Sequence, residues 1–409
     1  MITHDEAIEI IRQEGSTHLL GSEIVPLDQI AGRICAETLK SPIANQPFDN
    51  SAMDGFALKA EELASAVNDS PVALEVIGRI AAGDIAPTKA PSHGQCYEIM
   101  TGAPMPAGCD AVIPIEKAER GKSKVLFRVQ AHKDENVRHA GEDFAAGEKV
   151  LAPGHVLGSQ HILVLATIGI GKIKVICKPK IAVLSTGLEV VDDLNSKLNS
   201  GQIYNSTGPY LRSTLSVFGA EVFSCGTVAD DAAVFKSKLE SMIRNRFDII
   251  VSTGAVSAGS YDFIRQALEE KGAEILFHKV KIRPGKPVLF AKFPDGGPFY
   301  IGLPGNPVAS AAGLRFFVYP LIRAMQGLLP EQPQYALLKN SYSKKTDFRF
   351  FLRAIVSHSD KTTHEVDIMQ KQQSFMVSPF ITANAWAVAP EGVEMMKTGD
   401  VVNVYPLMP

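Results

Sequence analysis

The sequence predicts a multidomain chain of mixed α/β and β class, organised around a central three-layer α/β domain. Three observations carry this reading. Between residues 181 and 326, short apolar runs alternate with amphipathic helical patterns, which implies a mostly parallel sheet covered by helices. Residues 72–130 hold short strand patterns separated by turn residues, as in a small β-barrel or sandwich. Beyond Pro330 the pattern returns to strands, a C-terminal all-β domain.

Taken in order, residues 3–20 read as a helix. Thr3 with Glu6 makes a capping box, and Ile8, Ile11 and Leu19 lie near one face. A second short helix is expected over 28–37, weakened by Gly32, before Pro42 and Pro47 break the chain. Next comes Phe48-Asp49-Asn50-Ser51-Ala52-Met53-Asp54-Gly55-Phe56-Ala57. Turn chemistry explains its Asx residues, and so does a carboxylate held on a tight turn beside a ligand. Strands are expected at 72–80, 95–100, 111–114 and 125–129. Arg138, Glu142 and Asp143 then surround Gly141, and a helix follows over 159–168.

Lys178-Pro179-Lys180 marks a boundary. Strand 181–184 ends in Ser185-Thr186-Gly187-Leu188-Glu189, and Gly201-Gln202-Ile203-Tyr204-Asn205-Ser206 opens a helix over 207–218 that Gly219 ends. A strand at 221–227, a helix that Asp230-Asp231 begins and that runs to about residue 244, and a strand at 248–252 continue the alternation, and a helix over 309–326 closes the domain. The last strands are expected at 349–356, 365–369, 385–389 and 401–405.

A chain of 409 residues suggests two to four domains. With 45% hydrophobic and 21% charged residues it has the balance of a soluble globular protein, and a net charge of −3 gives no support to nucleic-acid binding. Five scattered cysteines lack metal or redox spacing, which points to a reducing cytoplasm. No apolar run approaches the roughly 20 residues that span a bilayer, and the N-terminus lacks a signal peptide's pattern, so no membrane role is expected. Ten histidines show no H-x-x-x-H pattern for zinc.

The most informative stretch is 248–310. Ile249-Ile250-Val251 breaks into Ser252-Thr253-Gly254-Ala255-Val256-Ser257-Ala258-Gly259, then Tyr261-Asp262 and a helical pattern. Loops of this kind sit at the carboxyl ends of parallel strands, where open α/β sheets bind ligands, and their N–H groups favour anions. Lys279, Lys281, Arg283 and Lys286 follow, with Pro284 and Pro287 stiffening the loop around Gly285-Lys286. A plain βα turn beside a lysine-rich edge strand is the alternative. The same sheet end collects Ser185-Thr186-Gly187, Gly201-Gln202, Ser252-Thr253-Gly254 and Gly302-Leu303-Pro304-Gly305-Asn306-Pro307.

These motifs, with Ile99-Met100-Thr101-Gly102-Ala103-Pro104 and Arg283-Pro284-Gly285-Lys286-Pro287, occur in one order over essentially the whole chain. In that order the chain resembles the molybdopterin molybdenumtransferases, the MoeA family that includes the E domain of gephyrin. The resemblance implies four domains: a mixed domain from 1–43 and 139–177, an inserted β domain over 44–138, an α/β molybdopterin-binding domain over 178–328, and a C-terminal β-barrel over 329–409. It implies a cytoplasmic homodimer that inserts molybdenum from molybdate into adenylylated molybdopterin and releases AMP, supported by Mg2+. The molybdopterin adenylyltransferase and molybdoenzyme chaperones are implied partners.

By the same resemblance, Asp54, Thr101, Asp143, Glu189 and Asp262 form the catalytic set, with Asp262 and Glu189 toward the metal. Substrate contacts fall to Ser185, Thr186, Gly187, Ser252, Thr253, Gly254, Ser257, Lys279, Arg283, Lys286, Pro287, Asn306, Arg353 and Ser374. A helix cap is the alternative role for Asp262. Three positions depart from the family pattern: Ala255 and Ala309 replace a glycine and a serine, and Ser260 replaces an acidic residue. A molybdopterin carrier or scaffold is therefore the second reading. A nucleotide-dependent oxidoreductase lacks its G-x-G-x-x-G turn.

Overall fold

The computed structural model describes residues 1–229, 231–254, 261–358 and 364–408, without the side chains of Tyr261 and Asp262. The chain divides into two compact units, Met1–Glu23 with Ile176–Pro409, and Ile24–Val175.

The first unit is built on a six-stranded sheet. Its order is Glu221–Val228, Lys180–Thr186, Ile249–Gly254, Phe299–Pro304, Leu289–Lys292, Glu274–His278. The first four strands are parallel and the last two antiparallel. Alternate side chains of a strand point to opposite faces. Val183, Val251 and Ile301 accordingly join a core with Leu211 and Leu215 of helix Thr207–Val217, while Leu184, Ile250 and Tyr300 join Phe235, Leu239, Ile264 and Leu268 on the other side. Two covered faces make the expected three layers. The N-terminal helix is His4–Thr17, with both halves of the Thr3–Glu6 capping box formed.

The helical run Pro307–Met325 is long and apolar enough to cross a membrane. It is the core helix of this unit, and 89% of it is buried. Arg315 lies within it, 3% exposed, and its guanidinium donates two hydrogen bonds of 2.7 Å to Glu331.

After it, strands Arg349–His358, His364–Ile368, Gln334–Leu338, Val401–Pro406 and Ala385–Ala389 pair in that order, and the last returns to the first. This closes the barrel expected at the C-terminus and leaves no free edge. The short strand Ile282–Arg283 adds to it in parallel, opposite Arg349 and Phe350.

In the second unit a six-stranded sheet runs Ala111–Pro114, Gly55–Leu58, Gln95–Ile99, Val72–Ile80, Lys124–Phe127, Ala118–Arg120, around Phe56, Leu58, Leu74, Ile113 and Phe127. The helix expected over 28–37 is absent. Only a 3-10 turn, Leu27–Gln29, forms. Gly32 then takes the left-handed conformation (φ 75°), and Ile34 and Cys35 bridge to Val156 and Val175. Bridge pairing of two buried residues outweighs a helical propensity already weakened by glycine.

The N-terminal helix is fastened to the barrel by one side chain. The Arg349 guanidinium donates to both Asp5 carboxylate oxygens at 2.6 and 2.9 Å, to Glu391 at 2.7 Å and to His4 Nδ1 at 2.7 Å. Burial holds the His4 pKa below its ordinary 6.5, and the Arg349 charge pushes the same way. His4 beside it and the Arg349 guanidinium that donates to it depress Asp5. As pH falls below about 6.5, the unfolded chain takes up a proton at His4 that the folded chain resists, so stability present above that pH is lost below it. Thermal melting from pH 8 to 5 should therefore show a decline setting in below about pH 6.5. His4→Gln should flatten that limb, and an unchanged slope in the variant would place the loss elsewhere.

Candidate anion-binding site

The cation-bearing loop is fixed at its backbone from two sides. On one, Ile2 N–H donates to the Lys279 carbonyl (3.2 Å) and Lys281 N–H to the Ile2 carbonyl (2.8 Å). On the other, Arg349 N–H donates to the Lys281 carbonyl (3.0 Å). Val280 N–H closes the loop onto the Lys286 carbonyl at 2.9 Å. Gly285 sits at φ 98°, where a side chain would be strained.

This loop forms one wall of a cleft of about 930 Å³, with Arg283, Lys286, Pro287, Asn306, Ala309 and Ser374 among its lining. Five residues expected to bind substrate therefore meet here. Among the described residues, neither Arg283 nor Lys286 forms an ion pair with a carboxylate. Two cations left unpaired in one cleft give it a positive field suited to a compact anion. Asn306 caps helix Pro307–Gly313, its Oδ1 accepting from Val308 and Ala309 N–H groups. Where the family pattern has serine, Ala309 presents a methyl group. Ser310 does not replace that hydroxyl, because it is fully buried and donates to the Pro304 carbonyl.

The strand-end hydroxyls behave differently from expectation. Ser185, Thr186, Ser252 and Thr253 are all buried. Ser185 accepts from Asn205 Nδ2 (3.0 Å), Thr186 donates to the Thr253 carbonyl (2.9 Å), and Ser252 shares a hydrogen bond with the Tyr300 hydroxyl. Three of these side chains are thus committed to holding the strand ends. Gly187 and Gly254 are required by close approach: a Cβ on Gly254 would strike the Thr186 carbonyl, and one on Gly187 would lie 2.9 Å from the Glu189 carboxylate. Asn205 is the centre of this end. Its Nδ2 also donates to Asp192 (2.7 Å) and its Oδ1 accepts from Gly208 N–H (2.8 Å). Asp192 was not among the expected residues; no motif flags it, since its partners Asn205 and Thr227 are distant in sequence.

Arg353 is not part of the cleft lining. It is fully buried, and its guanidinium donates to the carbonyls of Lys371 (2.9 Å), Gln373 (3.3 Å) and Met376. Its donors hold the segment that carries Ser374 into the cleft. Lys279 also lies outside the lining, at a left-handed backbone position (φ 69°).

In the second unit, Asp54 and Thr101 are brought together. Asp54 Oδ1 accepts from the Thr101 N–H and hydroxyl, both at 2.7 Å, and the hydroxyl bond is the first cause that lowers its pKa. Asp143 lies on another loop and accepts from Asn45 Nδ2 at 2.7 Å. Ser257, Ala255 and Ser260 lie outside the described residues. So does the Asp262 side chain, although its backbone is the second residue of helix Tyr261–Glu270, inside the helix rather than at its cap.

A magnesium ion needs oxygen ligands and commonly takes one or two carboxylates, with substrate phosphates and water completing the shell. Glu189 is exposed beside the Gly187 backbone and fits the single-carboxylate case. Among the described residues no group of three or more His, Cys, Asp or Glu gathers to hold a metal by protein ligands alone.

With this geometry in place, comparison with known proteins is decisive. The curated molybdopterin molybdenumtransferase of Synechococcus elongatus is 34% identical over 407 residues, covering 100% of both chains. The chain belongs to the MoeA family. The Staphylococcus aureus molybdopterin molybdenumtransferase is 33% identical over 98% of this chain and 94% of its own. Family profiles described as MoeA N-terminal region (domain I and II), probable molybdopterin binding domain and MoeA C-terminal region (domain IV) match residues 2–169, 182–324 and 335–407. Among solved MoeA structures, the molybdopterin biosynthesis protein from Pyrococcus horikoshii superposes with TM-score 0.83 at 32% identity, covering 100% of each chain.

Proposed function

We propose that this MoeA family member is a transferase of molybdenum cofactor biosynthesis that inserts molybdenum from molybdate into adenylylated molybdopterin and releases AMP. The observation that carries the reading is the cleft with two unpaired cations, Arg283 and Lys286, on a loop fixed at both sides. Molybdate is a compact dianion, and charge-assisted hydrogen bonds are the strong ones. Ser374 adds a hydroxyl at the same cleft, and Asn306 keeps its Nδ2 donors after capping. When bound, Mg2+ would offset charge on the pyrophosphate, with Glu189 and Asp262 as its protein ligands.

Asp54 is held as an anion by the two Thr101 donors. An acid whose pKa is lowered is a weak base, which favours orienting a water or cation over accepting a proton. Asp54, Thr101 and Asp143 belong to one compact unit, and the cation cleft to the other. We infer a cytoplasmic homodimer in which the first set serves the cleft of the second subunit. The four domain boundaries given above and the adenylyltransferase and chaperone partners rest on the same family likeness. The scaffold reading is weakened by the unpaired cations, which a pure scaffold has no need to maintain.

Lys286→Ala should weaken molybdate binding roughly 10- to 150-fold, the loss of a charge-assisted contact of about 1.5–3 kcal/mol, with a smaller effect on the pterin. Calorimetric titration with each ligand measures this, and equal losses for both would contradict the assignment. Light scattering should give a dimer; a fully active monomer would rule out the shared site.

A further inference from the structure

We propose that Phe348 and Phe350 are positioning residues of the oxyanion cleft, whose rings seat Lys286 and Arg283 while leaving their charge uncompensated. The inference rests on the reading of the cleft given above. Lys286 Nζ lies 5.7 Å from the Phe348 ring centroid, and Arg283 Cζ lies 5.7 Å from that of Phe350. Both rings line the cleft with the two cations.

The backbone explains why these groups meet. Arg283 is the register partner of Phe350 across neighbouring parallel strands. Phe348 lies two residues before Phe350. It is held by Lys344, which is 6% exposed and whose ammonium donates to the Phe348 carbonyl at 2.6 Å and the Thr346 carbonyl at 3.2 Å. Lys344 Nζ also stands 5.5 Å from the Phe350 centroid.

A carboxylate could seat the same cations, as Glu331 seats Arg315 and Asp5 seats Arg349. It would also cancel the charge that an oxyanion must meet. A ring face attracts a cation through its quadrupole and carries no formal charge. Rings in place of carboxylates therefore preorganise Arg283 and Lys286 and leave the field of the cleft positive.

The test grades the ring quadrupole at nearly constant shape. In the full-length protein, Phe348 is replaced in turn by mono-, di- and trifluorophenylalanine, and molybdate affinity is titrated. A stepwise loss is expected, reaching about two- to thirty-fold, the range of a cation–π contact. Phe348→Leu should fall at the weak end and Phe348→Tyr near wild type. The same fluorinated series at Phe223, outside the cleft, should leave affinity unchanged. A flat series at Phe348, or tighter binding on fluorination, would overturn the proposal, because a packing role does not follow the quadrupole. A ligand-free measurement separates this from the function itself. The Lys286 ε-CH2 proton resonance should be shifted by the ring and return to its free value in Phe348→Leu. If wild type failed to bind molybdate, the functional reading would fail while this resonance still tested the seat; an unshifted resonance would refute it.

Discussion

Holding two unpaired cations in one cleft is the constraint on which the first unit depends. Arg283 and Lys286 repel one another, and no carboxylate relieves that repulsion among the described residues. The cost must be met by structure around them. Ile2 holds the loop backbone on one side and Arg349 on the other, and Gly285 supplies the left-handed turn between the cations. The closed barrel contributes both the strand that carries Arg349 and the rings beneath the cations.

Arginines of the same unit divide into two roles by their partners. Arg315 and Arg349 are neutralised by Glu331, Asp5 and Glu391, and they tie helices to the barrel. Arg353 spends its donors on backbone carbonyls and shapes the Ser374 segment. Arg283 is seated on a ring and lines the cleft without a counter-ion, whereas Arg353, over the Phe380 ring, spends its donors on carbonyls; the Arg283 charge remains available.

Much of this was legible in the sequence, for physical reasons that can be named. The period-2 and period-3.6 patterns located the α/β core because burial enforces them. Pro284, Gly285 and Pro287 announced a stiff loop because few backbones accommodate them. What could not be read depends on pairing across long sequence separation. That the Arg353 guanidinium faces carbonyls 18 to 23 residues away is one such pairing. Ser185 and Ser252 looked like ligand groups, whereas Asn205 and Tyr300 claim their hydroxyls. The helix expected over 28–37 failed because Ile34 and Cys35 form bridges to Val156 and Val175, over 100 residues further on.

The central claim is that the cation cleft serves a metal-oxyanion transfer coupled to cleavage of an adenylate. The most direct measurement is AMP release from adenylylated molybdopterin by the purified protein, with and without molybdate at saturating Mg2+. The account predicts release that requires molybdate and is lost in Lys286→Ala. AMP release that is independent of molybdate, or absent while both ligands bind, would contradict it.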